Sequence, residues 1–490
     1  MAIQVNNHQE VTSTVNKSER LFLRNNKNPE FQALFSERRV LLMIGDALIV
    51  VLAVCVAVLL WHQTDSSGFN FAIDFREHWY WFPSMLGGWW LLAGLNDLYY
   101  IPSSFDKLTS AMRVATVGLI NLAIYLALFS LIPQDLPRDI FLYFLLMVWP
   151  AITLWRWIYA ELFSRFQHRV LIVGTGMRGQ SLFKTLKEAP KLNYQVLGYV
   201  DDQTGSEKID DGLDVIGKAA DLPNLIRQLQ IHEVAVAIDR RLSKDLFESL
   251  VECQANGVRV SLMSDIYQEL YRKVPIEYID PSWALYAMQN RLVFKRLDLG
   301  LKRVLDLILV SVGLLILAPI FPLLALAIRL DSSGPIFYRQ IRCGRAGKPF
   351  SIYKFRTMVS DAEKDGKPQW ATKNDQRITR VGRFMRKTRL DELPQLINVL
   401  RGEMSIIGPR PERPEFVKEL QQEIPYYRTR LMVKPGLTGW AQIHYPYGNT
   451  VEDALIKLQY DFYYLRYWSL WLDLYIIFRT FAVVLQFKGT

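Results

Sequence analysis

Asp391 and Glu392 stand side by side, directly behind a stretch that holds six basic residues and no acid: Arg377, Arg380, Arg383, Arg386, Lys387 and Arg389. Residues of these types suit phosphate chemistry. A carboxylate can attack phosphorus or hold a hard cation, and clustered basic groups can take the negative charge of phosphates. Spacing by threes puts most of the basic residues on one helical face, with Ile378, Val381, Phe384 and Met385 on the other. That pattern predicts a basic amphipathic helix suited to an anionic membrane surface. Pro394 is tolerated only in a first helical turn, so a new helix is expected to begin near Asp391. A helix start favours negative charge, so Asp391 is expected to stay ionised, with room for a phosphate close by. An isolated Asp-Glu pair is most often a solvated pair on an ordinary helix, and only the surroundings argue for more.

The elements that must position this stretch begin with composition. A chain of 490 residues suggests two or three domains. Half its residues are hydrophobic and 13% are aromatic, a composition that points to membrane segments. The formal charge of +10 could serve nucleic acid or a phosphate-rich membrane face. Trp and Tyr beside apolar runs favour the membrane, and no nucleic-acid partner is expected. Cys55, Cys253 and Cys343 are far apart, which excludes a disulfide framework or zinc motif and fits a reducing compartment. Residues 1–39 are polar and aperiodic, hence expected to be disordered, and they do not read as a signal peptide.

Four apolar segments follow, at 40–61, 78–98, 112–131 and 140–163, each near the roughly 20 residues that cross a bilayer. Lys and Arg concentrate in the leader, between the second and third segments, and after the fourth. The N-terminus and everything beyond Arg165 are therefore expected on the cytoplasmic side. Residues 166–292 read as a small α/β domain, with strands at 170–173, 195–200, 233–238 and 258–262. Gly174, Gly176 and Gly179 form a glycine pattern between the first strand and a helix, and Asp201 and Asp202 follow the second strand. This setting admits two readings, a bound nucleotide or a ligand-free turn that needs glycines for close packing.

The apolar run at 301–329 is framed by Lys302, Arg303 and Asp306 and broken at Pro319. A proline there kinks a spanning helix or turns a hairpin back, and basic residues at both ends favour the hairpin. A pair of strands is expected over 335–358 with a turn at 344–347, then a mobile loop at 360–374. The aromatic run at 463–487, broken by Arg466, Asp473 and Arg479, reads as an interfacial helix.

The motif Leu390-Asp391-Glu392-Leu393-Pro394-Gln395, with Asn398-Val399, Gly402-Glu403-Met404-Ser405 and Gly408-Pro409-Arg410-Pro411, resembles the bacterial sugar transferases that begin polysaccharide assembly. These are the polyprenyl-phosphate hexose-1-phosphate transferases of the monotopic phosphoglycosyl transferase superfamily. Gln340-x-Arg342-x-Gly344, Lys354-Phe355-Arg356-Thr357-Met358, Lys434-Pro435-Gly436 and Asp461-x-Tyr463-Tyr464 extend the resemblance over residues 294–488. It implies a membrane protein of α and α/β character, with four transmembrane helices and a Rossmann-like accessory domain. A catalytic domain at 293–490 then carries a re-entrant helix hairpin at 301–329. It further implies that Asp391 is the nucleophile and that Glu392 holds Mg²⁺, with Asp461, a further acidic position, as the second metal residue. Arg342, Lys354, Arg356, Arg377, Arg386 and Arg410 are the candidates for substrate phosphates.

The expected reaction joins a UDP-hexose, glucose or galactose, to polyprenyl (undecaprenyl) phosphate, releasing UMP through an aspartyl-phosphosugar. Its expected place is the bacterial inner membrane, with the accessory and catalytic domains in the cytoplasm; a homodimer is left open. Two other classes were weighed. A nucleotide-sugar dehydratase or epimerase of the short-chain type would need a Tyr-x-x-x-Lys pair, which occurs nowhere in the chain. A non-catalytic membrane scaffold would not need Asp391, Glu392, Arg410 and the 354–358 block together.

Overall fold

The computed structural model describes residues 35–64, 81–131, 138–164, 167–189, 193–202, 212–239, 242–279, 281, 296–359, 375–446, 448 and 450–485. The chain divides into two compact units, Met1–Gln167 with Lys191–Asn193, and His168–Pro190 with Tyr194–Thr490.

The first unit is helical. Helix α1 (Phe35–Thr64) already includes Arg38 and Arg39, which were expected in the leader; most of that leader and the loop at 360–374 lie outside the described residues. Helices α2 (Trp81–Leu95), α3 (Lys107–Leu131) and α4 (Arg138–Ser164) follow. Leu48, Leu52, Leu126, Leu146 and Leu154 point outward and exposed, as expected of side chains whose solvent is hydrocarbon. Inside the unit, Trp89 of α2 meets Phe144 of α4 edge to face at 6.4 Å. Arg156 of α4 forms a buried ion pair with Asp46 of α1 and also donates to the Leu98 carbonyl. Among the described residues, three helical stretches are long and apolar enough to cross a membrane: Arg38–Trp61, Lys107–Ala127 and Ile140–Phe163. The expected second crossing is shorter in its described part. Helix α2 has 15 residues, because the chain turns at 96–99, where Asp97 takes a positive φ of 57°.

The second unit opens with strand β1 (His168–Val173), helix α5 (Met177–Lys187), and strands β2 (Tyr194–Val200) and β3 (Val215–Gly217). Helix α6 (Leu222–Leu229), strand β4 (Glu233–Val236), helix α7 (Lys244–Ala255), strand β5 (Arg259–Leu262) and helix α8 (Met263–Tyr271) complete the α/β portion. The sheet order is β3-β2-β1-β4-β5 and its pairings are parallel, the doubly wound arrangement. Val170, Leu171, Ile172 and Val173 are buried, as a central strand covered on both faces requires. The three-residue edge strand β3 was missed in the sequence because it is too short to show a period.

The next elements are helices α9 (Arg296–Leu317) and α10 (Ile320–Asp331), bent by 61° at Ala318–Pro319. Both arms pack on the same body. Val310 of α9 sits in a cluster with Ile352, Leu396, Val399 and Met404. Ile328 of α10 sits with Phe355 and Met385. Strands β6 (Phe337–Cys343) and β7 (Pro349–Phe355) form the expected antiparallel pair around a turn at Arg345–Gly347. Helices α11 (Arg380–Thr388) and α12 (Leu396–Arg401), strand β8 (Ser405–Ile407), helix α13 (Pro414–Glu423) and strand β9 (Gly436–Thr438) continue the chain. Helices α14 (Trp440–His444), α15 (Val451–Tyr467) and α16 (Leu470–Leu485) end it. The aromatic C-terminal run is thus two helices. The first starts earlier than expected, on a capping box in which Thr450 and Asp453 satisfy each other's backbone.

The domain boundary expected at 292–293 does not separate two cores. Val274, Ile276 and Ile279 are buried in one cluster with Val417, Leu420, Tyr427, Leu458 and Phe462. The segment after α8 therefore belongs to the core beneath α13 and α15.

Candidate active site

Helix α11 starts on Thr379, whose hydroxyl accepts the Gly382 N–H at 3.0 Å. It ends on Arg389, held at φ 56° in the left-handed region that non-glycine residues rarely adopt. That reversal drops the chain into a 3-10 turn, Leu390–Gln395, which runs on into α12. The expected helix near Asp391 thus begins as a tighter turn, and Pro394 lies inside it. Asp391 and Glu392 are 7% and 6% exposed.

Their surroundings differ sharply. Glu392 is ringed by cations: Lys354 Nζ from β7 at 2.8 Å, Arg410 Nη2 from the loop after β8 at 2.5 Å, and Arg389 at 3.9 Å. Burial alone would raise the Glu392 carboxyl, but Arg410 and Lys354 outweigh it and hold it well below the ordinary range. Among the described residues, the Asp391 carboxylate has no hydrogen-bond or ion-pair partner. Burial, with the neighbouring Glu392 charge, pushes it up to about 6, against the attraction of Lys354, Arg386 and Arg410. Asp391 is therefore still ionised at neutral pH, as expected, but closer to protonation than a helix start alone would leave it, since desolvation wins. Two adjacent carboxyls are thus driven apart, one fixed by cations and the other left to titrate closer to neutrality, a pattern that suits acid–base or nucleophilic work.

The other predicted residues sort themselves by partner. Arg342 lies on β6, donates to Gln340 and to the Pro411 carbonyl at 3.2 Å, and shares the field around Lys354. Arg386 donates to the Thr357 hydroxyl at 3.0 Å and faces Asp391 electrostatically. Arg377 is engaged by Asp375 at 2.5 Å, before α11 begins. Arg356 donates to the Ser332 carbonyl at 2.6 Å and holds the exit of α10 rather than the acidic pair.

Lys302, Arg303 and Asp306 anchor α9. Lys302 pairs with Asp473 of α16 at 2.7 Å, and Arg303 donates to the Val399 and Leu400 carbonyls. Asp306 accepts from Ser405 and from the Ile406 N–H, both at 3.0 Å. Asn398, named in the sequence only as part of the motif and given no role, is fully buried and ties α12 to β7 by donating to the Ser351 carbonyl at 2.7 Å and accepting from Tyr353 N–H at 3.1 Å. A buried amide that bonds backbone on both sides leaves no periodic mark.

The expected metal pair Glu392 and Asp461 is not assembled. Asp461 pairs with Arg430 at 2.9 Å, and burial pushes its carboxyl up to about 6. Among the described residues no cluster of three or more His, Cys, Asp or Glu side chains could hold a metal ion. Asp391 and Glu392 alone still fit Mg²⁺, which takes hard oxygen from one or two carboxylates and completes its shell with water and substrate phosphates.

In the α/β portion, the glycines answer to packing. Gly174 has a φ of 109°, and a Cβ there would meet the Ala237 carbonyl; one on Gly179 would meet the Gly174 carbonyl. Above the first turn of α5 the carboxylate of Asp239 lies against Gly176, pairs with Arg178 at 3.1 Å and approaches the Arg178 N–H. Asp201 accepts from Thr175 N–H and hydroxyl, and Asp202 from Ala219 N–H, so neither acid is directed at a ribose. A nucleotide phosphate at this helix start would meet the charge of Asp239, so these residues do not fit an anionic nucleotide or coenzyme as they stand.

Comparison with known proteins gives two family matches, the second of which begins inside the helical unit. The bacterial sugar transferase family matches residues 297–487, and a CoA-binding domain family matches residues 95–264. A UDP-N-acetylgalactosamine-undecaprenyl-phosphate N-acetylgalactosaminephosphotransferase of Aeromonas hydrophila is 37% identical over 52% of this chain and 59% of its own length. A UDP-glucose:undecaprenyl-phosphate glucose-1-phosphate transferase of Klebsiella pneumoniae is 36% identical over 66% of this chain and 68% of its own. An undecaprenyl-phosphate galactose phosphotransferase of Salmonella typhimurium is 31% identical over 66% and 69%. The family match falls on the part of the chain that holds Asp391, Glu392 and their cations, and the Klebsiella relative aligns along more than two thirds of its length. The chain belongs to the bacterial sugar transferase family and is a membrane-associated sugar-phosphate transferase.

Proposed function

We propose that this protein transfers hexose 1-phosphate from a UDP-hexose, glucose or galactose, to undecaprenyl phosphate, by way of a covalent bond to Asp391. The observation that carries the reading is the division of the acidic pair: Glu392 is held by Lys354 and Arg410, and Asp391 is buried with no partner among the described residues. An oxygen of ionised Asp391 attacks the β-phosphorus of the donor. The bond from that phosphorus to the bridging oxygen breaks, and UMP leaves with the bridging oxygen and its electron pair. A phosphate oxygen of undecaprenyl phosphate then attacks the same phosphorus, the acyl-phosphate bond breaks, and Asp391 is returned as a carboxylate. Lys354, Arg410 and Arg342 are placed to take charge from the transferring group, with Glu392 fixing the first two. Mg²⁺, bound with the diphosphate and an oxygen of Glu392, would neutralise charge on the phosphates.

The reaction is placed at the cytoplasmic face of the bacterial inner membrane, where nucleotide sugars are made. We read α1 to α4 as four crossings and α9–α10 as a re-entrant hairpin. Packing of both hairpin arms against β7, through Ile352 and Phe355, supports the second point, since ends on opposite sides of a bilayer could not both reach one short strand. Relatives named for glucose, galactose and N-acetylgalactosamine all align with this chain, so the donor is settled by assay. Purified protein with Mg²⁺, undecaprenyl phosphate and each UDP-sugar in turn should release UMP with UDP-glucose or UDP-galactose. With that donor and no lipid, the Asp391 peptide should gain the mass of a hexose phosphate. Turnover without any trapped adduct would refute the covalent route.

A further inference from the structure

Asp461 and Arg430 form a buried pair that the chemistry above does not use. Arg430 is 6% exposed and cannot shed its proton, so it needs a counter-charge. Asp461 of α15, 1% exposed, supplies it at 2.9 Å, with Glu412 farther off at 3.9 Å. Arg430 also donates to the Tyr427 hydroxyl at 2.8 Å and, through Nη2, to the carbonyl of Arg410 at 3.0 Å. The Arg410 side chain runs on to Glu392. One buried guanidinium thus joins Asp461 to the backbone of the residue that fixes the acidic pair.

The same helix is gripped from its other side. Gln459 is 4% exposed, and its side-chain N–H₂ donates to both oxygens of Glu277 at 2.7 and 2.8 Å. Its carbonyl accepts the Val274 N–H at 3.0 Å. Two residues along a helix are separated by about 200°, so Gln459 faces the segment after α8 and Asp461 faces Arg430. Arg466, farther along α15, reaches Asp265 and Gln268 of α8 at 3.1 and 2.9 Å. The α/β portion therefore holds the helix that presents Asp461.

We propose that Asp461 is a positioning residue, acting through Arg430 on Arg410 and so on Glu392, and that the segment after α8 sets its place by clasping Gln459. The proposal rests on the transfer reaction above. Its test is a double-mutant cycle on the full-length protein with the donor that supports turnover. Asp461→Asn should lower kcat by about 10- to 100-fold, the scale of misplacing a group by an ångström, with KM for the donor moving far less. In an Arg410→Lys background the same change should cost less than about threefold, because the relay is already broken. Asp461→Glu, which keeps the charge, should restore much of the loss and serves where the Asn variant fails to fold. Glu277→Ala, outside the transfer chemistry, should lower kcat a few-fold alone and not at all beside Asp461→Asn. Equal costs of Asp461→Asn in both backgrounds would overturn the relay. So would a structure of the Asp461→Asn protein with Arg410 still seated on Glu392, a result that stands whether or not the donor has been identified. Absence of turnover in the natural protein with every UDP-sugar would instead strike the functional reading, leaving that structural comparison to decide the relay.

Discussion

Cutting the chain at Phe294 should cripple the fold of the transferase portion, whereas cutting at Arg272 should spare it. The segment between them supplies Val274, Ile276 and Ile279, which are 0%, 1% and 8% exposed in the cluster beneath α13 and α15. Burying a Val or Ile side chain contributes about 1.5–3 kcal/mol, and a compact unfolded chain lowers the sum of three to roughly 4–6 kcal/mol. The Val274 bond to Gln459 and the Trp440 bond to the Arg272 carbonyl add about 1 kcal/mol each. The total, about 6–8 kcal/mol, is comparable to the whole stability of a typical domain. For a fragment of this size it should appear as a melting temperature at least about 10 °C lower for the Phe294 fragment than for the Arg272 fragment. Thermal unfolding of the two in the same detergent measures it. Melting within about 2 °C of each other would show that the segment is not part of this core.

Three further outcomes follow from the site and its mount. Asp391→Asn should abolish turnover while the protein melts no lower than the natural one, because it removes a buried charge that has no partner among the described residues; retained turnover would rule out Asp391 as nucleophile. With Asp391 pushed up to about 6, the nucleophile is lost to protonation as pH falls through that value, so kcat/KM for the donor should be level above about pH 7 and drop below 6. Mg²⁺ beside the carboxylate would carry that limb to lower pH, and a flat profile down to pH 5 at limiting Mg²⁺ would contradict the assignment. Cysteines placed at Lys302 and Ser333 should both react with an impermeant reagent from the cytoplasmic side only, and labelling of the second from outside would make α9–α10 a spanning helix.

What the sequence disclosed was mostly local. Alternating strands around the 345–347 turn, the buried run at 170–173, the proline break at 319 and the acid-base contrast at Asp391 are all written in neighbours. What it hid was pairing at a distance. Nothing near Asp461 announces Arg430, which sits on a 3-10 turn without a period, and a metal role was assigned to a residue that holds an arginine. Arg356 and Arg377 look like their neighbours in sequence, yet one closes the hairpin and the other answers Asp375. The core beneath α13 and α15 takes three residues from beyond an apparent linker, because hydrophobic burial respects space and not the order of motifs. Asp391 stays ionised at neutral pH as expected, but its approach to protonation was hidden, because exposure, which sets the cost of desolvation, is a property of the folded chain.

The carboxylate of Asp239 above the first turn of α5 bears on how such a domain answers to the cell. Gly174 and Gly179 are demanded by the chain's own backbone, so their spacing persists with or without a guest. The seat those glycines frame carries its own counter-charge, locked by Arg178. An anionic nucleotide arriving there would first have to displace the carboxylate of Asp239, a demand that the glycine spacing alone does not reveal.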